Sequence, residues 1–341
     1  MKERTGREAG LGSFELTRSD PGYEWRNISA MPNKNIFSGL FSLIAALFLT
    51  ACSGNGPLQL TGEAIQNLDR DTVDLADITA DTSKLVEKTG KENVLVVFDI
   101  DNTILAMEQG LGSDQWYEWQ KDLSKEDHCS NKYVGDRFAV QGAVYFASAM
   151  RRTQEDGAAQ VKAIQDQGVA VISLTSRGPD YQLQTFRELR RNDFNFSFSA
   201  IGPAGGYKGT FMPVENGRLS LYQDGVFLTA GQHKGQMLQA LLTKTGTPMP
   251  AVIVMADDKQ ENLDAVKETF SALHVPVHAW HYVAEAENVR NFNPDQADLQ
   301  WKAIEGALRQ IQQVLGPDNF DLSGVALPSE CTQPPSPVTG D

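Results

Sequence analysis

The run Val94–Phe98 (Val-Leu-Val-Val-Phe) passes directly into Asp99-Ile100-Asp101-Asn102-Thr103, and few folds accommodate both halves of that sequence. β-Branched and aromatic residues favour a strand. Five apolar residues in succession leave no polar face, as in a parallel strand covered on both sides. Such a strand needs crossover helices, so the pattern points to an α/β architecture. In extended backbone, residues i and i+2 point the same way, which sends Asp99 and Asp101 to one place as the strand ends. Two carboxylates at one place repel unless a cation or a shared proton relieves them.

Further strands are predicted over 169–174, ending at Thr175-Ser176-Arg177-Gly178, more weakly over 195–201, over 251–255, ending at Asp257-Asp258, and over 277–280. Helical segments are expected at about 74–88, 143–167, 181–191, 235–244, 261–273 and 298–315. Alternating strands and helices imply right-handed crossovers and a doubly wound parallel sheet. Two stretches break the alternation. Residues 105–140 read as a small, mainly helical cap after the first strand, and 203–233 as a β-hairpin insert. Trp116, Trp119 and Gln120 share one helical face, either as a lid over a site or as the core of the cap. His278 and His281 lack a metal-ligand spacing, which favours structural roles.

Ligands of open α/β sheets bind beyond the carboxyl ends of the strands. Asp99, Asp101, Thr175, Asp257 and Asp258 occupy such ends. A carboxylate cluster of this kind suits a hard cation, and Mg²⁺ binds through a few carboxylates plus substrate phosphate. Phe98-Asp99-Ile100-Asp101-Asn102-Thr103 resembles motif I of the haloacid dehalogenase-like superfamily in its phosphatase form. Leu174-Thr175-Ser176-Arg177 resembles motif II, and Val252-Ile253-Val254-Met255-Ala256-Asp257-Asp258 resembles motif IV. For the motif III lysine, Lys234 fits best and Lys208 is its rival. The likeness covers about residues 90–285, and Leu111-Gly112-Ser113-Asp114-Gln115-Trp116 resembles a poorly characterised bacterial branch.

The resemblance implies a Rossmann-like core and a phosphatase. Asp99 would attack phosphorus, and Asp101 would act as general acid and then base. Thr175 would bind the phosphoryl group, with Ser176 an alternative ligand and helix capping an alternative role for Thr175. Lys234 would neutralise Asp99 and the phosphate. Asp257, with Asp258, an Asp99 oxygen and the Asp101 backbone carbonyl, would hold Mg²⁺. The lesser alternative for Asp257-Asp258 is to cap the helix at Glu261, and Arg177 either touches substrate or pairs with an acidic neighbour. Asp101 and Thr103 speak against a dehalogenase or an ion-pumping ATPase, whose motif I lacks the second Asp. A binding lipoprotein with little catalysis, or a phosphotransferase, are the competing readings.

The net charge of -14 over 341 residues argues against a phosphate-backbone binder, since such proteins carry basic patches, and a small phosphorylated substrate remains the expected partner. No obligate protein partner is evident. Residues 36–49 form an apolar stretch of signal-peptide length, and Leu49-Thr50-Ala51-Cys52 resembles the lipobox of bacterial lipoproteins. That likeness implies acylation of Cys52 and a lipid anchor in the cell envelope. Ser53, where an Asp would resemble an inner-membrane retention signal, points to the outer membrane. Residues 1–30 read as a mis-assigned leader ahead of a start at Met31. The signal, ending at 51, carries six basic and five acidic residues with that leader, so the acidity belongs to the folded part. Residues 52–72 are expected to be a tether, 73–315 the core with its cap, and 316–341 a loose tail. Cys129 and Cys331 could pair in an oxidising compartment.

Overall fold

A computed structural model describes residues 64–325 and Cys331. The leader, the signal and Cys52 lie outside the described residues. In chain order the elements begin with strand β1 (Leu68–Thr72), helix α1 (Leu75–Thr89), strands β2 (Val94–Phe98) and β3 (Leu105–Met107), helices α2 (Asp114–Glu126) and α3 (Arg137–Ala147), and strand β4 (Met150–Arg152). Helix α4 (Gly157–Gln165), strand β5 (Ala170–Thr175), helix α5 (Gln182–Arg191), strands β6 (Leu221–Gln223) and β7 (Val226–Leu228) and helix α6 (Lys234–Thr245) follow. The described chain continues through strand β8 (Val252–Asp257), helix α7 (Gln260–Ser271), strand β9 (Val277–Tyr282) and helices α8 (Ala286–Arg290) and α9 (Pro294–Leu315).

Seven strands form one sheet in the order β1-β9-β8-β2-β5-β7-β6, parallel throughout except for the antiparallel edge strand β6. The sheet is the doubly wound α/β arrangement that the alternation predicts. Strand β2 shows why. Val94, Val96 and Phe98 enter one apolar cluster with Ile78, Leu85 and Ile164 of α1 and α4. Leu95 and Val97 enter the opposite cluster with Leu238, Leu241 and Phe270 of α6 and α7. With both faces dry, no position in this strand tolerates a polar side chain.

Four expectations need correction. Residues 195–201 are not a strand. Phe194 and Phe196 are buried there, but Phe198 is exposed, and Val226–Leu228 takes the place beside β5. Strand β7 is therefore a member of the main sheet, and the expected hairpin insert is its edge. Its turn, Asp224-Gly225, has φ of 46° and 78°, which suits the right-handed strand twist. The helix expected over 143–167 is two helices separated by β4, which pairs antiparallel with β3. That ribbon closes the base of the cap, which therefore runs on to Arg152. Finally, the expected tether contains β1, an edge strand whose alternating charges read as loop and serve instead to protect an edge.

The cap has its own core of Leu111, Trp116, Val134, Val140 and Val144, completed by Ala297 and Trp301 from α9. Trp116 and Gln120 are fully buried, and Gln120 ties Lys132 O (2.9 Å) to the Val134 amide (2.8 Å). Of the two roles weighed for that helical face, the structure shows the cap core. Beyond α9, Leu322 is buried, and Cys331 is disulfide-bonded to Cys129 of the α2–α3 loop with Cα atoms 5.2 Å apart. The described part of the expected loose tail is docked on the cap.

Candidate active site

Strands β5, β2 and β8 are neighbours, and the chain turns to opposite sides of β2 to reach the other two. Crevices at such switch points are where open sheets bind ligands. Asp99 leaves β2 with its amide bonded to Ala256 O (3.0 Å). The chain then turns tightly: Ile104 N bonds to Ile100 O (3.0 Å) and Asn102 N to Leu105 O (2.8 Å). Asn102 sits at φ 57°, a left-handed conformation that Asn tolerates better than most residues. Ile100 and Ile104 are buried under this turn.

Lys234 opens α6 behind an N-cap formed by His233. A Cβ at Gly235 would lie 2.2 Å from both Ala265 O and Thr269 Oγ1 of α7, so only glycine lets the two helices approach there. That approach carries Lys234 into the sheet end. Its Nζ lies 2.6 Å from Asp99 Oδ1 and 2.6 Å from Asp257 Oδ2, at 2% exposure. Lys208 is exposed. Burial opposes the charge on Lys234, but the two carboxylates outweigh it and raise the pKa. Burial likewise pushes the Asp99 carboxyl up to about 7, against Lys234 and with the charges of Asp257 and Asp101.

Asp257 Oδ1 accepts from the Lys259 amide (3.0 Å) and Asn262 Nδ2 (2.8 Å). It braces the loop before α7, whose N-cap residue is Lys259. Asp258 approaches Asn102 Nδ2 at 3.4 Å. Burial, followed by the charges of Asp257, Asp99 and Asp114, raises its proton affinity well above normal. Ligand oxygens of Asp99, Asp257 and Asp258 lie within 4.8 Å of one another. Among the described residues no donor reaches Asp99 Oδ2 or Asp258 Oδ1. Three clustered carboxylates, of which Asp99 and Asp257 share Lys234 while Asp99 and Asp258 each keep an open oxygen, fit a hard divalent cation. Asp101, whose expected contribution is its backbone carbonyl, sends no side-chain oxygen into this cluster.

The Asp101 side chain is held elsewhere. Arg177 Nε donates to Oδ2 (2.9 Å), Arg177 Nη2 to Oδ1 (2.8 Å), and the Tyr145 hydroxyl to Oδ1 (3.2 Å). Arg177 is fixed in turn by Thr185 Oγ1 (2.9 Å), and its guanidinium carbon lies 4.7 Å from the Tyr145 ring centroid. Burial pushes the Asp101 carboxyl up, but the Arg177 charge and hydrogen bonds, with Tyr145, hold it below normal. Of the two readings of Arg177, the pair with an acidic neighbour is the one seen in this structure. Thr175 is buried, and its Oγ1 accepts from the Arg177 amide (3.2 Å). It caps no helix. The register sets Phe98 opposite Ser173, so Thr175 stands level with the Asp99–Asp101 turn. Ser176 is exposed.

The cap supplies groups that the motifs did not indicate. Tyr145 comes from α3. Lys259 Nζ reaches Asp114 Oδ2 (2.9 Å) and Glu118 Oε1 (3.1 Å) on α2, tying core to cap beside Asp258. A cavity of about 430 Å³ opens from Asn102 and Asp258 between α2 and the segment carrying Val289 and Phe292. The position of Lys259 directly after the aspartate pair was a usable signal, whereas Tyr145 had none. His278 bonds Asp81 (2.7 Å), and His281 bridges Asp71 (2.9 Å) and Asp258 O (3.0 Å), both structural contacts.

No curated protein matches the sequence. A family model described as "Protein of unknown function (DUF2608)" matches residues 73–313, a span that holds every residue of this site. The chain belongs to that family.

Proposed function

We propose that the protein is a Mg²⁺-dependent phosphohydrolase that cleaves a small phosphate monoester through an aspartyl-phosphate on Asp99. The observation that carries this reading is the division of the carboxylates. Asp99 and Asp257 share one buried ammonium, while Asp101 is held apart by Arg177 and Tyr145. Lys234 fixes Asp99 through Oδ1, which leaves Oδ2 as the attacking atom. The Asp99–phosphorus bond forms as the ester oxygen departs with a proton from Asp101. A water then attacks phosphorus and gives its proton to Asp101, releasing phosphate and restoring Asp99. A carboxylate nucleophile divides one hard displacement into two easier ones, and acid–base help contributes about 10²–10⁴-fold.

Arg177 is a positioning residue. It keeps Asp101 ionised at rest, the form needed to accept the water's proton. An incoming phosphate dianion adds negative charge and favours the protonated form needed first. Thr175 would hydrogen-bond a phosphoryl oxygen. Bound at Asp99, Asp257 and Asp258, Mg²⁺ would neutralise phosphate charge, most of what phosphoryl transfer requires of a protein. Acylation of Cys52 and an envelope location, with the outer membrane as its site, complete the proposal. The Cys129–Cys331 disulfide supports an oxidising compartment.

The test is Mg²⁺-dependent phosphate release from a panel including an aryl phosphate, comparing wild type with Asp99→Asn. Release lost in the variant and on chelation is expected. No release from any ester by the wild type would defeat the reading. For the anchor, Cys52→Ala should free the protein from membranes, and unchanged fractionation would count against it.

A further inference from the structure

The cavity of about 430 Å³ beside Asp258 has two unlike walls. On one, Val283, Ala286, Val289 and Phe292 recur every third residue. Turns at either end of α8 (Ala286 N to Val283 O, 3.1 Å; Phe292 N to Val289 O, 3.3 Å) carry them along one side of the helix. All four line the cavity, and all four keep accessible surface, Val289 at 38%. Phe292 is backed by Trp119 of the cap, with ring centroids 5.9 Å apart. The facing wall is polar, made by Asp114, Gln115 and Glu118 of α2 with Lys259. Its charges are already engaged. Lys259 Nζ takes both Asp114 and Glu118, and Glu285, also in the lining, forms a bidentate pair with Arg151 at 2.6 and 2.8 Å. Arg290, the remaining cation of the lining, is exposed.

This cavity begins at the candidate reaction centre. Asp258, in its lining, has a carboxylate oxygen within 4.8 Å of one on Asp99. The charge of Lys259 reaches Asp101, and that of Asp101 reaches Asp114. A leaving group released between Asp99 and Asp101 therefore has the cavity next to it, and small-molecule sites occupy about 300–1,000 Å³.

Building on the phosphohydrolase reading, we propose that this cavity holds the leaving group of the ester and selects one that is apolar and uncharged, an alkyl or aryl group. The α8 wall offers no side-chain donor or acceptor, so hydroxyls laid on it would lose water without replacement. Four carboxylates of the lining, Asp114, Glu118, Asp258 and Glu285, stand against Lys259 and Arg290, which disfavours a second anion. A cation finds no carboxylate free except Asp258, which the proposed Mg²⁺ takes. Removing apolar surface from water against the α8 wall is the favourable interaction that remains.

The experiment uses the wild-type full chain with Mg²⁺. Calorimetry follows binding of n-alkylphosphonates from ethyl to hexyl, whose P–C bond does not hydrolyse. In parallel, kcat/KM is measured for the matching n-alkyl phosphates, whose leaving-group basicity hardly changes along the series. Affinity and kcat/KM should both rise about twofold to fourfold per added CH₂, the upper value being complete burial. Val289→Asn, at an exposed position, and Phe292→Ser should each flatten the rise. n-Butylphosphonate should bind tighter than 3-aminopropylphosphonate, which has the same length and a terminal cation. Phosphate release with no dependence on chain length overturns this inference and leaves the hydrolase reading standing. No release from any ester, with phosphonate affinity still climbing, overturns the hydrolase reading and sustains an apolar ligand site beside Asp258. A flat affinity series, a rise that both variants keep, or tighter binding of the aminophosphonate overturns the inference.

Discussion

Replacing Lys234 with Met tests the centre of the site without assuming any reaction. The ammonium is buried and lies 2.6 Å from each of two carboxylates. Removing one member of a buried ion pair costs about 3–5 kcal/mol, because a charge is left without compensation. Here two are left, but the cost does not double, because a carboxyl can take up a proton instead. Asp99 is already raised to about 7 with Lys234 present, and each further unit corresponds to about 1.4 kcal/mol. The sign follows from linkage. The folded state keeps a proton that the unfolded chain releases at an ordinary carboxylate pKa, so stability falls as pH rises from about 4 to the raised value. Urea unfolding should therefore show a deficit that is modest near pH 5 and reaches about 3–5 kcal/mol near pH 8. Lys208→Met, at an exposed position, should stay within about 0.5 kcal/mol of wild type. Adding Asp257→Asn to Lys234→Met should restore part of the loss by removing the second orphaned charge. A Lys234→Met protein as stable as Lys208→Met near pH 8, or a loss independent of pH, would refute the reasoning.

Three further outcomes follow from the geometry. Arg177→Gln removes the charge that holds Asp101 low, so burial should raise that carboxyl by about one to three pKa units. Carboxyl ¹³C titration and the pH at which aspartyl-phosphate breakdown begins should move up together, and an unmoved titration would reduce Arg177 to a brace. Gly235→Ala should cost about 1–3 kcal/mol through overpacking and should lower turnover further by displacing Lys234, whereas unchanged melting and rate would contradict the helix contact. Cys331→Ser should cost about 2–5 kcal/mol by opening a long loop. Cys129→Ser should match it and the double variant should add nothing.

The strand ends of the candidate site were legible because they obey short-range rules. An apolar run on both faces identifies β2, β5 and β8, and polar residues just past such strands face the switch point. Lys234 was harder to place, since its rival Lys208 also sits among glycines ahead of the same strand; the structure separates them, with Lys234 opening a helix beside Asp99 and Lys208 exposed. Strand β7 was read as part of a separate hairpin rather than as a member of the main sheet, because three residues after a tight turn do not show which strand they pair with, while 195–201 alternates well yet loses its place to them. Strand β1 was missed because its charges mask an edge. Tyr145 depends on a contact between distant segments, which one sequence does not reveal.

The disulfide sets an order on how the molecule is completed. Cys331 follows Cys129 by 202 residues, so at about 5–20 residues per second roughly ten to forty seconds of synthesis separate the two thiols. Strands β5 to β9 lie between them, whereas β2, with Asp99 and Asp101, lies outside the ring they close. The cap can therefore be pinned only on a chain that has already supplied Thr175, Lys234 and Asp257 to the site. A chain truncated short of Cys331 exposes itself by a free thiol at Cys129.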